Sequence, residues 1–238
     1  MEIKHDLLPA QKSRKHNLKV AIDIYPIATE LYEELNRIGI IERIKAIPQL
    51  GVIKVKKKLH KSRYDYVMLQ LYLHQLIKNN IQPSLKLTYN NYIKEKEFNK
   101  KVPYINKDFK PSLGDLMQIM SIVYNIGHFY NTFTASRAVT MMAAQDITFK
   151  NMVINASKDT DYQAVVNNLL VDQNYQRFHL TNSLLILEHC NTELSSVKFA
   201  KELLYAYLNE SNPPENSKLR YAFDVFRKAR TLSYMAYD

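Results

Sequence analysis

The sequence predicts an all-α protein, mostly helical, with a short β arm or hairpin as its one exception. Apolar residues recur at helical spacing through most of the chain. Only 4 glycines and 8 prolines punctuate 238 residues, too few for a loop-rich or disordered chain. The stretch from Gly114 to Phe129 carries Leu116, Met117, Ile119, Met120, Ile122 and Val123, so a helix there is apolar on nearly every face and belongs in the middle of a domain.

In chain order, residues 1–20 are polar and basic (Gln11, Lys12, Ser13, Arg14, Lys15 and His16 among them) and form a basic N-terminal arm; the helical domain is expected over 21–238. From Pro26, Ile27, Leu31, Leu35 and Ile38 share a helical face that Gly39 ends. Ile41, Ile44 and Ile47 line up on a shorter helix stopped by Pro48. Ile53 and Val55 then alternate with Lys54 and Lys56, a strand or hairpin arm whose basic patch of Lys54, Lys56, Lys57 and Lys58 faces solvent or a bound anion. Ser62 caps a helix to about Lys78, with Tyr64, Val67, Met68, Leu71, Tyr72 and Leu76 inward. Pro83, Pro103, Pro111 and the charged run Lys94 to Glu97 mark residues 81–111 as an irregular excursion, a candidate lid.

The central helix starts at Ser112 and Asp115, a Ser-x-x-Asp signal with the carboxylate near the positive helix end. It stops at Asn125-Ile126-Gly127-His128, where Gly127 is expected to let the backbone turn. A helix over about 134–145 is expected to hold Ala138, Met141 and Met142 inside. Further helices fit roughly 161–171, 175–190 and 196–209, and another runs from about 216 after Ser211-Asn212-Pro213-Pro214-Glu215. The apolar pattern is still running at Asp238, so the expectation is a segment of a longer protein, truncated at its C-terminus.

Charge is uneven. Residues 1–110 hold 22 Lys/Arg against 11 Asp/Glu, net +11, whereas residues 111–238 hold 11 against 12, net −1. A basic half suits a phosphate-bearing partner, a nucleotide or nucleic acid, or else is a solvated lysine face. The single cysteine, Cys190, excludes a disulfide framework and a cysteine zinc cluster. No long apolar run and no signal-peptide core occur, so the expectation is a cytoplasmic protein with no membrane contact.

The order of elements carries a resemblance. Ile41 to Gly51 ends in Gln49-Leu50-Gly51; a β arm follows; Leu59-His60-Lys61-Ser62-Arg63-Tyr64-Asp65-Tyr66 opens a helix; Tyr124-Asn125-Ile126-Gly127-His128 closes another. Over about residues 40–135 this resembles the HD-domain phosphohydrolases, in the deoxynucleoside-triphosphate triphosphohydrolase branch, and implies an HD-like helical bundle. In that family histidines and aspartates at the two helix ends hold a divalent ion that polarises phosphate and activates water. Carried over, those ligand positions fall on Tyr66, Tyr124 and Asn125, with a fourth to be sought at Asp224 or Asp238. Phenols and a carboxamide are poor substitutes, so the expectation is no metal and no other cofactor.

The resemblance also implies that Gln49 and Leu50 contact the base and sugar of a nucleotide and that Arg63 holds a phosphate, with His128 matching the histidine that follows the metal pair. The structural alternative is that Gln-Leu-Gly serves its turn and Arg63 pairs with Asp65 or a helix end. The expected function is therefore a catalytically inactive HD-like domain acting as a nucleotide-binding or regulatory module, as a homo-oligomer or with a partner subunit. Two alternatives stand beside it: a nucleic-acid-binding protein using the basic half, and an active phosphohydrolase with a rearranged metal site. Other chemistry-bearing residues weigh less. His60, Asp65 and His74 would make a displaced metal cluster. Tyr64, Tyr66 and Tyr72 would be stacking faces, though at helical spacing they are more often core. His179, His189 and Cys190 share one expected helix and suggest catalysis only through an activated thiol.

Overall fold

The computed structural model describes residues 1–7, 18–48, 61–80, 111, 113–209 and 218–237. Among them the architecture is all-α with one short hairpin. Strands β1 (Glu2–Leu7) and β2 (Leu18–Asp23) are followed by helices α1 (Pro26–Arg37), α2 (Ile40–Ala46), α3 (Arg63–Asn80), α4 (Leu113–Ile126), α5 (Thr132–Gln145), α6 (Ile147–Ile154), α7 (Thr160–Val171), α8 (His179–Glu188), α9 (Ser195–Leu208) and α10 (Lys218–Tyr237). No described helix is long and apolar enough to cross a membrane.

Helix α4 is the hub. Residues 115–128 are buried without a break, and α1, α2, α3, α8, α9 and α10 all pack on it. Its apolar faces are buried among these helices, and its buried polar residues Gln118, Ser121 and Asn125 make hydrogen bonds within the fold. Gly39 sits at φ +80 between α1 and α2, the left-handed backbone that lets two short helices join tightly. Ile41, Ile44 and Ile47 are buried as their spacing predicts.

The hairpin lies where the sequence suggested a basic arm. β1 and β2 pair antiparallel from Glu2↔Asp23 to Leu7↔Leu18, so the expected boundary between residues 20 and 21 falls inside β2. Leu7, Val20 and Ile22 point inward at period two and belong to the core. Two glutamines fasten its exit: Gln75 accepts from the Asp23 N–H and donates to the Ala21 carbonyl, while Gln118 accepts from the Tyr25 N–H and donates to the Asp23 carbonyl. The strand expected at 51–58 lies outside the described residues, as does the excursion over 81–110.

Three further expectations are corrected. Met141, Met142 and Ala138 face solvent, the two methionines each 50% exposed, because α5 buries Ser136, Thr140 and Ala143 instead. Leu76 is exposed, whereas Gln75 next to it bonds the hairpin. Residues 147–154, unassigned from sequence, form α6, capped by the Asp146 carboxylate on the N–H groups of Thr148 and Phe149.

Candidate functional site

The site is built where α3 begins and α4 ends. Ser62 and Asp65 make a capping box: the Asp65 carboxylate accepts from the Ser62 N–H and hydroxyl, and the Ser62 hydroxyl accepts from the Asp65 N–H. The Arg63 N–H bonds the Ile47 carbonyl at 2.8 Å, fixing the first residue of α3 against the end of α2. Arg63 is therefore held inside, 1% exposed, and its Nε and Nη1 have no acceptor. Pairing with Asp65 is not its role, since that carboxylate is committed to Ser62 and lies 3.2 Å from His5 Nε2. Burial pushes the Asp65 carboxyl up, but the His5 and Ser62 bonds outweigh it and leave it below its ordinary value.

At the end of α4, Arg43 of α2 donates to the carbonyls of Ile126 and His128, both at 2.6 Å, satisfying acceptors that a helix terminus leaves open. Gly127 is needed for closeness and not for a left-handed turn: a Cβ there would overlap the His179 carbonyl and lie 2.5 Å from the Ser183 N. That approach lets His128 stack on His179, ring centroids 3.9 Å apart and planes within 6°. Tyr124 meets His179 edge-on at 5.0 Å.

Helix α10 closes the cluster. The Arg230 guanidinium lies 4.4 Å over the Tyr124 ring and 5.7 Å from that of Tyr234, and the Tyr66 hydroxyl donates to the Arg230 carbonyl at 3.1 Å. The structure thus brings Arg63, Tyr66, Tyr124, Asn125 and His128 into one buried region. Gln49, Leu50, Lys54, Lys56, Lys57 and Lys58 lie outside the described residues.

Electrostatics there favour an anion. Burial, followed by His179, Arg63, Arg230 and Arg43, holds His128 well below the ordinary histidine value. Burial, then Arg63 and Arg230, lowers His179 to about 3. Burial raises the phenols of Tyr66 and Tyr124, so both stay neutral. The Asn125 Nδ2 donates to the Ser121 carbonyl at 2.8 Å and to Gln70 Oε1 at 3.3 Å, and contributes no charge. Neutral phenols and a carboxamide beside two guanidiniums do not fit a divalent cation. Among the described residues no three His, Cys, Asp or Glu gather as a ligand set. Asp224 is bound to Arg227, and Asp238 and His60 lie outside the described residues.

The remaining candidates resolve into structure. His74 is buried, shares a 2.8 Å bond with the Ser121 hydroxyl and has its ring centroid 6.4 Å from that of Phe226. His189 is exposed, and burial pushes the Cys190 thiol up to about 11, the reverse of an activated nucleophile. Tyr66 is core; Tyr64 and Tyr72 are half-buried against it. A separate groove of about 480 Å³ between α8 and α9, lined by Leu187, Val197 and Lys201 among others, shares no residue with the site.

Sequence reasoning missed Arg230, His179 and Arg43 as members. Arg230 had a signal: it continues the Phe223, Phe226 stripe at helical spacing, so a cation stands on an inward face. Comparison with family models, curated proteins and solved structures returns no match. What fold and geometry define is an all-α protein in which Arg63, His128 and His179 are buried and Arg230 half-buried at the junction of α3, α4, α8 and α10, with no ion pair to either arginine among the described residues.

Proposed function

We propose that this protein is a catalytically inactive HD-like domain that binds a nucleotide and acts as a regulatory or interaction module. The observation that carries the reading is Arg230. The two helix ends that would grip a cation in the resembled family carry Tyr66, Tyr124 and Asn125 here, and a guanidinium lies over one of those phenols. A fixed cation repels a divalent ion while leaving a phosphate-bearing ligand welcome. Retained Arg63 and His128 beside it support a ligand; neutral groups at the metal positions support the absence of hydrolysis. Binding then serves assembly with a second copy or a partner subunit, because a ligand that favours one conformation stabilises it by mass action.

The test is a paired measurement on the purified chain with nucleoside mono-, di- and triphosphates, with and without divalent metals. A rise in melting temperature with nucleotide and no phosphate or pyrophosphate release is expected. Metal-dependent turnover that is lost in Asn125→Ala would overturn the reading.

A further inference from the structure

A short helix owes its stability in a protein to the face it buries, because its own hydrogen bonds are too few to hold it. Helix α6 departs from that rule in a single copy of the chain: five of its eight residues are apolar and none is buried. Its neighbour α5 carries two stripes. The inward one is Ser136, Thr140 and Ala143, small residues that let the adjacent helices come close. The outward one is Ala138, Met141, Met142 and Gln145, spaced i, i+3, i+4, i+7 and exposed at every position. That spacing is the face a helix turns to another helix, and here nothing in the same copy covers it. Helices α5 and α6 pack on each other and on α7, and neither belongs to the ring of helices around α4. Seven of the eleven large apolar side chains left exposed among the described residues fall between residues 130 and 171.

We propose that the outward face of α5 and α6 is a docking surface for a second copy of this chain, joined through the same face in a two-fold dimer. Area is the first argument. Phe133, Met141, Met142, Ile147 and Met152 are each 50–68% exposed. Together with the small residues between them they approach the roughly 800 Å² that one partner gives to a standard interface, more apolar surface than a monomer ordinarily leaves open. Charge is the second. Residues 130–156 hold only Arg137, Asp146 and Lys150 as charged residues, whereas 24% of the whole chain is charged. A nucleic acid or a strongly charged protein finds no complement there. An identical face does, because a two-fold contact sets the surface against itself and this one has few charges to bury or repel. Three methionines suit that role as well, since flexible thioethers repack against their own copies. The inference rests on the assembly half of the proposed function and not on its nucleotide half.

The experiment is sedimentation of the full chain over a range of concentrations without nucleotide, on the parent and three variants. Met141→Asp and Ile147→Asp each place a charge in the face, from α5 and from α6; an acidic residue at the start of α6 suits that helix end. Met235→Asp on α10 is the control, an exposed methionine outside the face. Expected are a reversible dimer in the parent chain and in Met235→Asp, and dimerisation at least about tenfold weaker in Met141→Asp and Ile147→Asp. Melting temperatures at dilutions where the parent is dissociated should be equal in all four chains. Should one of the two face variants fail to fold, the other decides. A parent chain that stays monomeric overturns the proposal. So does a dimer that both face variants keep. A monomer whose Met141→Asp variant melts lower would show that the face is covered within one copy, and the second copy would again be excluded. A monomer that cosediments with phosphatidylcholine–phosphatidylglycerol vesicles, and loses this in Met141→Asp, would give the face to a lipid surface instead. The nucleotide reading fails separately: a dimer with no thermal response to any nucleotide leaves this surface standing, and a nucleotide-responsive monomer leaves only that reading.

Discussion

Single residues at the site obey two different demands, closeness and charge. Gly127 serves the first. Its missing Cβ lets the end of α4 touch the first turn of α8, and Asn182 seals the contact by donating to the Gly127 carbonyl at 3.1 Å. Gly127→Ala should cost about 1–3 kcal/mol through overpacking, read as a lower denaturation midpoint, and should open the His128–His179 stack. A midpoint within error of the parent chain would mean that α8 can move away freely. The sequence flagged Gly127 but for a different reason, because a glycine between polar residues is normally a turn signal and the neighbour that forbids a Cβ comes from a helix more than fifty residues on. Arg63 was identified by its place in a motif, and its burial was not legible. Nothing in Ser62-Arg63-Tyr64 shows that the first residue of a helix is tied to the Ile47 carbonyl and drawn inside.

At the scale of elements, periodicity located helices well and oriented them less well. Most helix spans follow from apolar spacing with caps, as in α3, where Ser62 and Asp65 mark the start both in sequence and in hydrogen bonds. Helix α5 shows the limit. Its methionines are the obvious core candidates, yet the inward positions are Ser136, Thr140 and Ala143, which allow close packing of helices. The reason is distributed: α6 and α7 lie against α5, and α6 itself has no fully buried residue, so this corner is thin and leaves apolar groups outside. Met142→Lys should therefore change stability by no more than about 0.5 kcal/mol, whereas Ala143→Lys should cost several times that by burying a charge. Thermal unfolding of the two variants distinguishes this orientation from the reverse, in which Met142→Lys would be the damaging change. The hairpin was missed for a related reason. Val20 and Ile22 alternate correctly, but the partner strand at residues 2–7 interleaves only Ile3 and Leu7 with Glu2, Lys4, His5 and Asp6, too few apolar residues to mark a strand.

For the molecule as a whole, the buried histidines set how the fold responds to acid. His74 faces Ser121 and Phe226 and is lowered by burial to about 4 from 6.5. His179 is lowered to about 3 by burial and by Arg63 and Arg230, and His128 well below 6.5 by burial, His179, Arg63, Arg230 and Arg43. Below 6.5 an unfolded chain takes up protons at these three positions while the folded chain refuses them, so acid favours unfolding. Stability is complete above the ordinary histidine value and is lost as pH falls toward the folded-state values. With three such protons the slope approaches about 4 kcal/mol per pH unit at roughly pH 5. Paired carboxylates extend the loss downward: the Arg37 hydrogen bond holds Glu34 at about 2, and its contribution disappears between 4.5 and that value. On the alkaline side burial raises Cys190 from 9.0 to about 11 and Tyr162 from 10.0 to about 12, so stability falls again as pH climbs past 9. The expected profile is a plateau between about 6.5 and 9 with a steep acid limb. Chemical denaturation across pH measures it, and His74→Asn should make the acid limb shallower by about one proton. A limb that begins only below the carboxylate range, unchanged in that variant, would mean the histidines are already charged in the fold. Two imidazoliums could not then lie 3.9 Å apart beside Arg63 and Arg230 without an anion between the charges.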